Sequence, residues 1–168
     1  MLRYHIMTEP EKRQICAWQY DGEYAAYNLP DYTEMQKRQM GFCNPDRRKN
    51  FYSYCDDARL VGFTNLLEEE TEVFVGIGVS PQLCNKGYGR QILALVRQIA
   101  AQLYPNKPLY LEVRCWNAAL LPAISGQAFA SKENPLSRPP RWAKAAFTGW
   151  FARQLPPTIL RCKSGFVA

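Results

Sequence analysis

The stretch from Arg90 to Leu103 constrains this chain most. Ile92, Leu95, Val96, Ile99 and Leu103 recur at helical spacing, while Arg90, Gln91, Arg97, Gln98 and Gln102 lie largely elsewhere. Pro105 ends the pattern. Leu109, Leu111, Val113 and Cys115 then alternate with Tyr110, Glu112, Arg114 and Trp116, which is a strand pattern. Before the helix, Thr71 to Val79 also reads as a strand. Strand, helix and strand in that order call for a parallel, right-handed crossover.

Two more strands precede this unit. Phe51 to Cys55 and Arg59 to Leu67 flank the turn Asp56-Asp57, and Glu68-Glu69-Glu70 makes the next turn. Residues 51 to 117 therefore read β-β-β-α-β. Upstream, residues 8 to 19 read as a short helix, with Thr8 as N-cap and Pro10 in the first turn. Residues 24 to 29, YAAYNL, fit a short strand or a lining segment. Residues 31 to 41 fit a helix capped by Asp31 and stopped by Gly41.

A chain of 168 residues suits one domain, and 47% hydrophobic residues exclude disorder throughout. No apolar run approaches the ~20 residues of a membrane span, and MLRYHIMTEPEKRQ has no apolar signal-peptide core. A cytoplasmic protein without a membrane partner is expected. The six cysteines form no CxxC pair and are expected to be reduced and mostly buried. No metal site is expected, because His5 is the only histidine and no ligand pair has the usual spacing.

The formal charge of +6 is unevenly spread. Residues 118 to 168 hold seven cations (Lys132, Arg138, Arg141, Lys144, Arg153, Arg161 and Lys163) against one acid, Glu133. Residues 1 to 117 carry 14 basic and 14 acidic groups, so the basic balance belongs wholly to the tail.

The stretch GVSPQLCNKGYGRQIL, residues 78 to 93, joins the Thr71–Val79 strand to the helix. The first N–H groups of a helix have no internal partner and carry partial positive charge. Gly87 and Gly89 let a ligand approach the backbone, and Lys86 and Arg90 add charge at the rim. Such a turn suits a phosphate or pyrophosphate. It equally suits a plain strand-to-helix connection. It is neither a Walker A loop, since no Gly-Lys-Ser/Thr follows, nor a dinucleotide fingerprint, since Ile92 replaces the third glycine.

The neighbouring residues sharpen the choice. Val79-Ser80-Pro81 followed by CNKGYG, residues 84 to 89, closely resembles the acetyl-coenzyme A loop of the GNAT superfamily of N-acetyltransferases. That family shows V-x-P, then (Gln/Arg)-x-x-Gly-x-(Gly/Ala), then a helix. Cys84 stands where Gln or Arg is usual, which removes a side chain but no backbone donor. LYLEVRCWN, residues 109 to 117, is similar to the family's fifth-strand text L-x-L-x-V-x-x-x-N. The resemblance covers about residues 50 to 117.

The resemblance implies an α/β (α+β) fold: a mixed, mostly antiparallel central sheet with flanking helices. Its coenzyme site is formed by the fourth strand, the loop, the third helix and the fifth strand. It implies an acyltransferase that moves an acetyl group from acetyl-coenzyme A, its cosubstrate, to a primary amine. Carried over residue by residue, the coenzyme would contact Ile77, Gly78, Val79, Cys84, Asn85, Lys86, Gly87, Tyr88, Gly89, Arg90 and Asn117. The base that takes a proton from the amine would be Glu72 or Glu112; ordinary roles as a solvated hairpin end and a structural ion pair with Arg114 compete for them. Trp18, Tyr24, Tyr27 and Tyr54 could line an acceptor pocket, and core packing explains them equally. The acceptor would be a small-molecule or peptide amine, and a homodimer is compatible with the family.

After Asn117 the family text stops. The family continues Asn-x-x-Ala-x-x-x-Tyr, then three residues and Gly-Phe, and that tyrosine commonly protonates the leaving thiolate. Ile124 occupies the tyrosine position, and Gly126 and Phe129 are out of place. The tail also holds six of the twelve prolines. Codons for Ala118 to Phe129, shifted by one base, can spell Tyr-(Gln/Lys)-Arg-Ala-Gly-Phe at the family spacing. Residues 1–117 are therefore expected to form an incomplete acetyl-coenzyme A-binding domain, and 118–168 a frameshifted, basic, Pro-rich tail outside the family, with turnover impaired. Within the tail, Trp142 to Leu155 could form a helix. A rival reading is a non-catalytic protein that binds anions or nucleic acid through the basic tail, with Trp142, Trp150 and Phe151 among its contacts. A nucleic-acid partner is the less expected one, because a shifted frame explains the same residues.

Overall fold

The computed structural model describes residues 1–114, 129–131 and 158–163. The chain divides into two compact units, residues 1–66 with 77–92, and residues 67–76 with 93–168.

In the first unit, β1 (Leu2–Ile6), β2 (Phe51–Asp56), β3 (Arg59–Glu68, up to Leu66) and the end of β4 (Val73–Val79) lie in that order. β1 pairs antiparallel with β2, Tyr4 opposite Tyr54, and β2 pairs antiparallel with β3, Ser53 opposite Phe63. β1 was not foreseen. Most of its residues are exposed, so it lacks the apolar alternation that marks a half-buried strand.

Helices α1 (Glu9–Cys16) and α2 (Tyr32–Lys37) supply the rest of this unit's core. At the start of α1, Glu11 reaches back and accepts the Thr8 backbone N–H at 2.8 Å. Asp31 caps α2, accepting the Thr33 N–H at 2.8 Å. Ile15, Cys16, Tyr32, Met35, Phe42 and Phe51 are buried together, with Trp18 and Phe63 packed against them. Lys12 is also buried; its ammonium donates to Glu9 Oε1 at 2.6 Å, and the Tyr32 hydroxyl donates to the same carboxylate. Residues Gly22–Tyr27 form a 3₁₀ helix rather than the short strand considered for 24–29. A strand there would need a ladder partner, whereas this segment closes its hydrogen bonds locally, Tyr24 N–H to Asp21 and Asn28 N–H to Ala25.

In the second unit, the start of β4 pairs parallel with β5 (Leu109–Arg114), as the crossover required. The ladder consists of Val73 opposite Leu109 and Phe74 opposite Tyr110, and among the described residues it goes no further. On its other side β5 pairs parallel with β7 (Thr158–Lys163), Leu109 opposite Thr158 through Arg114 opposite Lys163, and β7 pairs with β6 (Phe129–Ser131). Two short tail segments therefore join the sheet. The boundary expected at Asn117, the shifted segment from Ala118 to Ala128, and the helix considered for Trp142 to Leu155 lie outside the described residues.

Helix α3 (Tyr88–Leu103) begins two residues earlier than its apolar face suggested. Ile92, Val96 and Ile99 are buried as expected, joined by Leu93 and Ala100, while Leu103 is half exposed. The α/β class and, over the five strands β1 to β5, the mixed, mostly antiparallel sheet with flanking helices are as anticipated. Among the described residues no helix is long and apolar enough to cross a membrane.

Candidate active site

The connection from β4 to α3 is built in three steps. First, the Ser80 N–H donates to the Val61 carbonyl at 2.9 Å, anchoring the strand's exit to β3. Second, Pro81–Leu83 makes one 3₁₀ turn, closed by Leu83 N–H to Ser80 O at 2.8 Å and with Leu83 buried beneath it. Third, Asn85 and Gly87 take left-handed backbone angles, φ 62° and 83°, and Tyr88 starts the helix. A Cβ on Gly87 would meet nothing within 4 Å. Glycine is therefore required there by the backbone angle and not by space. The turn carries Cys84, Asn85, Lys86, Gly87 and Arg90 at the surface.

Close packing sets the strand that leads into it. A Cβ on Gly62 would sit 2.5 Å from Ile92 Cδ1 and 2.8 Å from the Gly78 carbonyl oxygen. A Cβ on Gly78 would sit 2.3 Å from Phe63 Cε1. β3 and the end of β4 thus approach more closely than side chains allow. Phe63 is braced by Trp18 at 6.0 Å and Phe42 at 6.3 Å between ring centroids.

Tyr20, which sequence reasoning passed over, reaches this strand end. Its hydroxyl donates to the Val79 carbonyl at 2.7 Å, and its backbone is clasped by Asn28, which accepts the Tyr20 N–H at 2.7 Å and donates to its carbonyl at 3.1 Å. Burial, then the neighbouring Cys84 thiol, pushes the Tyr20 hydroxyl well above its usual pKa. Only its place in a short polar turn, between two helical segments, could have marked it.

The expected coenzyme residues Ile77, Gly78 and Val79 occupy the last positions of β4, and Cys84 to Arg90 form the turn and first helical residues. The Tyr88 hydroxyl donates to Asp56 Oδ2 at 2.9 Å, tying the turn to the β2–β3 hairpin. That bond is the main cause of the raised Tyr88 pKa. Gly89 lies in the first turn of α3. Asn117 lies outside the described residues.

The two candidate bases sit differently. Glu72 precedes the first residue of β4, in the turn where the Glu69 N–H donates to its carbonyl at 2.9 Å. Glu112 lies within β5, partly exposed between buried Leu111 and Val113, with Arg161 opposite it in the β7 register. Tyr110, two residues before Glu112, stacks on Phe74 at 5.4 Å and donates its hydroxyl to Glu69 at 2.8 Å.

Of the aromatic candidates for an acceptor pocket, Tyr54 is a core residue. It is fully buried, and its hydroxyl pairs with Thr64 Oγ1 at 3.0 Å. Tyr24 and Tyr27 stay partly exposed on the 3₁₀ segment. The cysteines also depart from expectation. Cys16 is buried and its thiol pushed up to about 11 by that burial, but Cys43 and Cys55 are half-buried and Cys84 is exposed. Cys84 follows the 3₁₀ turn at the surface, and its thiol donates to the Ser80 carbonyl at 3.6 Å.

Comparisons with known proteins agree with this geometry. The profile of the acetyltransferase (GNAT) family matches residues 7–124. No curated protein matches in sequence. Among solved structures, a chimera of the Vibrio cholerae spermidine N-acetyltransferase SpeG and hSSAT superposes with a TM-score of 0.60 at 16% identity, over 74% of this chain and 78% of that one. The ribosomal-protein-S18-alanine N-acetyltransferase of Escherichia coli superposes with a TM-score of 0.51 at 15% identity, over 75% and 76%. At these identities the likeness is one of fold.

Proposed function

The chain belongs to the acetyltransferase (GNAT) family and is an acyltransferase; from that premise we propose that it transfers an acetyl group from acetyl-coenzyme A to a primary amine. The observation that carries this reading is the turn from Ser80 to Tyr88, where a left-handed Gly87 leads directly into the first turn of α3 with Lys86 and Arg90 at the surface. That arrangement suits the pyrophosphate of the cosubstrate. A pantetheine arm would pair with backbone groups at the end of β4 near Val79, as the family resemblance implies.

In the proposed reaction the neutral amine attacks the thioester carbonyl carbon. The carbon–nitrogen bond forms, the carbon–sulfur bond breaks, and the coenzyme leaves as thiolate. A backbone N–H at the end of β4 would stabilise the developing oxyanion. Glu112 would take the ammonium proton, since it lies inside LYLEVRCWN, the β5 text that resembles the family, whereas Glu72 lies in the turn before Val73, the first residue of β4. Ile124 replaces the family's thiolate-protonating tyrosine, so solvent would supply that proton and turnover would be slow.

The test is calorimetry with acetyl-coenzyme A, followed by turnover with spermidine and with a peptide bearing an N-terminal alanine, amines of the kinds named in the two structural neighbours. Both are run on this chain and on a version with one nucleotide restored after Asn117. Binding in both versions, with faster turnover in the restored one, is the expected result. No binding and no acetyl transfer in either would end the proposal.

A further inference from the structure

Folding brings together three residues from three different elements that belong to no step of acyl transfer. His5 of β1, Glu11 of α1 and Cys55 of β2 place one ligand-type atom each within 4.8 Å of one another. His5 Nε2 lies 2.8 Å from Glu11 Oε1, and the Cys55 thiol donates to the same oxygen at 3.8 Å. We propose that His5, Glu11 and Cys55 form a binding site for a thiophilic divalent cation such as Zn²⁺, with the fourth position open to water.

The strand register explains why they meet. His5 is opposite Ser53, and Arg3 is opposite Cys55, in the antiparallel β1–β2 ladder. Opposite residues share a face, as do residues two apart along a strand, so His5, Ser53 and Cys55 point to one side. The first turn of α1 delivers Glu11 to that side. The imidazole, carboxylate and thiol form a mixed nitrogen, oxygen and sulfur donor set, which favours zinc over magnesium or calcium. Bond lengths of 2.0–2.3 Å in a tetrahedral site imply ligand atoms about 3.3–3.7 Å apart. From the present separations His5 and Glu11 would open by about 0.5–1 Å, and the widest pair would close by about 1 Å.

Two outer contacts fit the same purpose. Glu11 Oε2 accepts both the Thr8 backbone N–H and the Thr8 hydroxyl at 2.8 Å, which orients the carboxylate and leaves Oε1 facing His5 and Cys55. Ser53 is fully buried beside the same carboxylate and helps to hold it ionised. Burial pushes Glu11 upward, but the bonds from Thr8, Ser53 and His5 outweigh it and favour the ionised carboxylate. Burial, and then Glu11 itself, pushes the Cys55 thiol up, so without a metal it stays protonated. Binding would release that proton to solvent and exchange the His5–Glu11 hydrogen bond for two metal bonds. The cation would fasten the exposed edge strand β1 to α1.

The test uses the full chain, freed of metal by a chelator and kept reduced with a phosphine. Titration with Co²⁺ should give one equivalent bound, with a thiolate-to-cobalt charge-transfer band, and Zn²⁺ should displace it and bleach the band. At a hundredfold excess over its Kd, Zn²⁺ should raise the thermal midpoint by about 5–10 °C. His5→Ala and Cys55→Ser should each weaken binding at least tenfold, whereas Cys84→Ser, which removes the exposed thiol in the β4–α3 turn, should leave metal binding unchanged. His5 lies on an exposed edge strand, so its removal should leave the fold intact, and circular dichroism checks this. No cobalt–thiolate band, or a band that survives Cys55→Ser or vanishes in Cys84→Ser, would overturn the proposal.

Discussion

Three single residues decide how the β4–α3 turn is held. At Gly87 an added Cβ has room, so Gly87→Ala costs only the left-handed backbone, about 1–2 kcal/mol. The expected outcome is about tenfold weaker acetyl-coenzyme A binding by calorimetry. At Gly62 the backbone angle is not the issue. An added Cβ meets the Gly78 carbonyl at 2.8 Å, and a backbone atom cannot step aside as the end of Ile92 can. Gly62→Ala should destabilise the chain by about 1–3 kcal/mol, read as a lower urea midpoint. Tyr20→Phe would leave the Val79 carbonyl without its partner, at about 1–3 kcal/mol. For the chemistry, Glu112→Gln should lower turnover about 10²–10⁴-fold, while Glu72→Gln should leave it within a small factor. Equal losses in the two variants would remove Glu112 from its proposed role. Gly87 and Glu112 were legible in the sequence, since each sits in a text that depends on local order. Gly62 and Tyr20 were not, because the Gly78 and Val79 carbonyls they meet lie 16 and 59 residues away.

At the scale of elements, helix ends carry the clearest consequence. The Asp31 carboxylate is held below its ordinary value of 3.8, chiefly by the Thr33 N–H. A depressed acid stabilises the fold above its unfolded pKa and loses that contribution as pH falls through the folded value. The α2 cap should therefore weaken below about pH 3.8. Asn caps as well as Asp but does not titrate. Asp31→Asn should match the parent at pH 7 and show a shallower loss of stability between pH 4 and pH 2, followed by circular dichroism against urea. A steeper acid loss in the variant would contradict this account of the cap. β2, β3, β4 and α3 were read within two residues of their true bounds, whereas α1 ends at Cys16, three residues before the expected 19, and α2 at Lys37, four before Gly41. β1 and the 3₁₀ segment Gly22–Tyr27 were not foreseen, since neither buries an apolar stripe.

For the molecule as a whole, the tail after Asn117 is the open question. β7 covers the edge of β5 along six consecutive pairs, from Leu109 to Arg114. Ending the chain at residue 117 would expose that edge next to the buried Leu109, Leu111 and Val113. Such a shortened chain is expected to aggregate, seen as rising light scattering at a temperature where the full chain stays clear. Restoring one nucleotide after Asn117 should instead raise turnover about 10²–10⁴-fold, because a tyrosine would return as the acid for the leaving thiolate. Equal turnover in the restored and present chains would mean that this tyrosine is dispensable.

The sequence by itself determined the order of strands and helices from residue 51 to 114, the parallel crossover, the turn that suits a phosphate, and the family. These depend on periodicity, on glycine spacing and on short-range text, all of which survive in one dimension. Tertiary structure alone decided that Tyr54 belongs to the core, that Tyr20 reaches Val79, that Gly62 and Gly78 let two strands close together, and that His5, Glu11 and Cys55 share one face. The physical reason is the same in each case. Apart from His5 and Glu11, these contacts join residues ten or more positions apart, and no local preference of either partner foretells which side chain folding will bring against it.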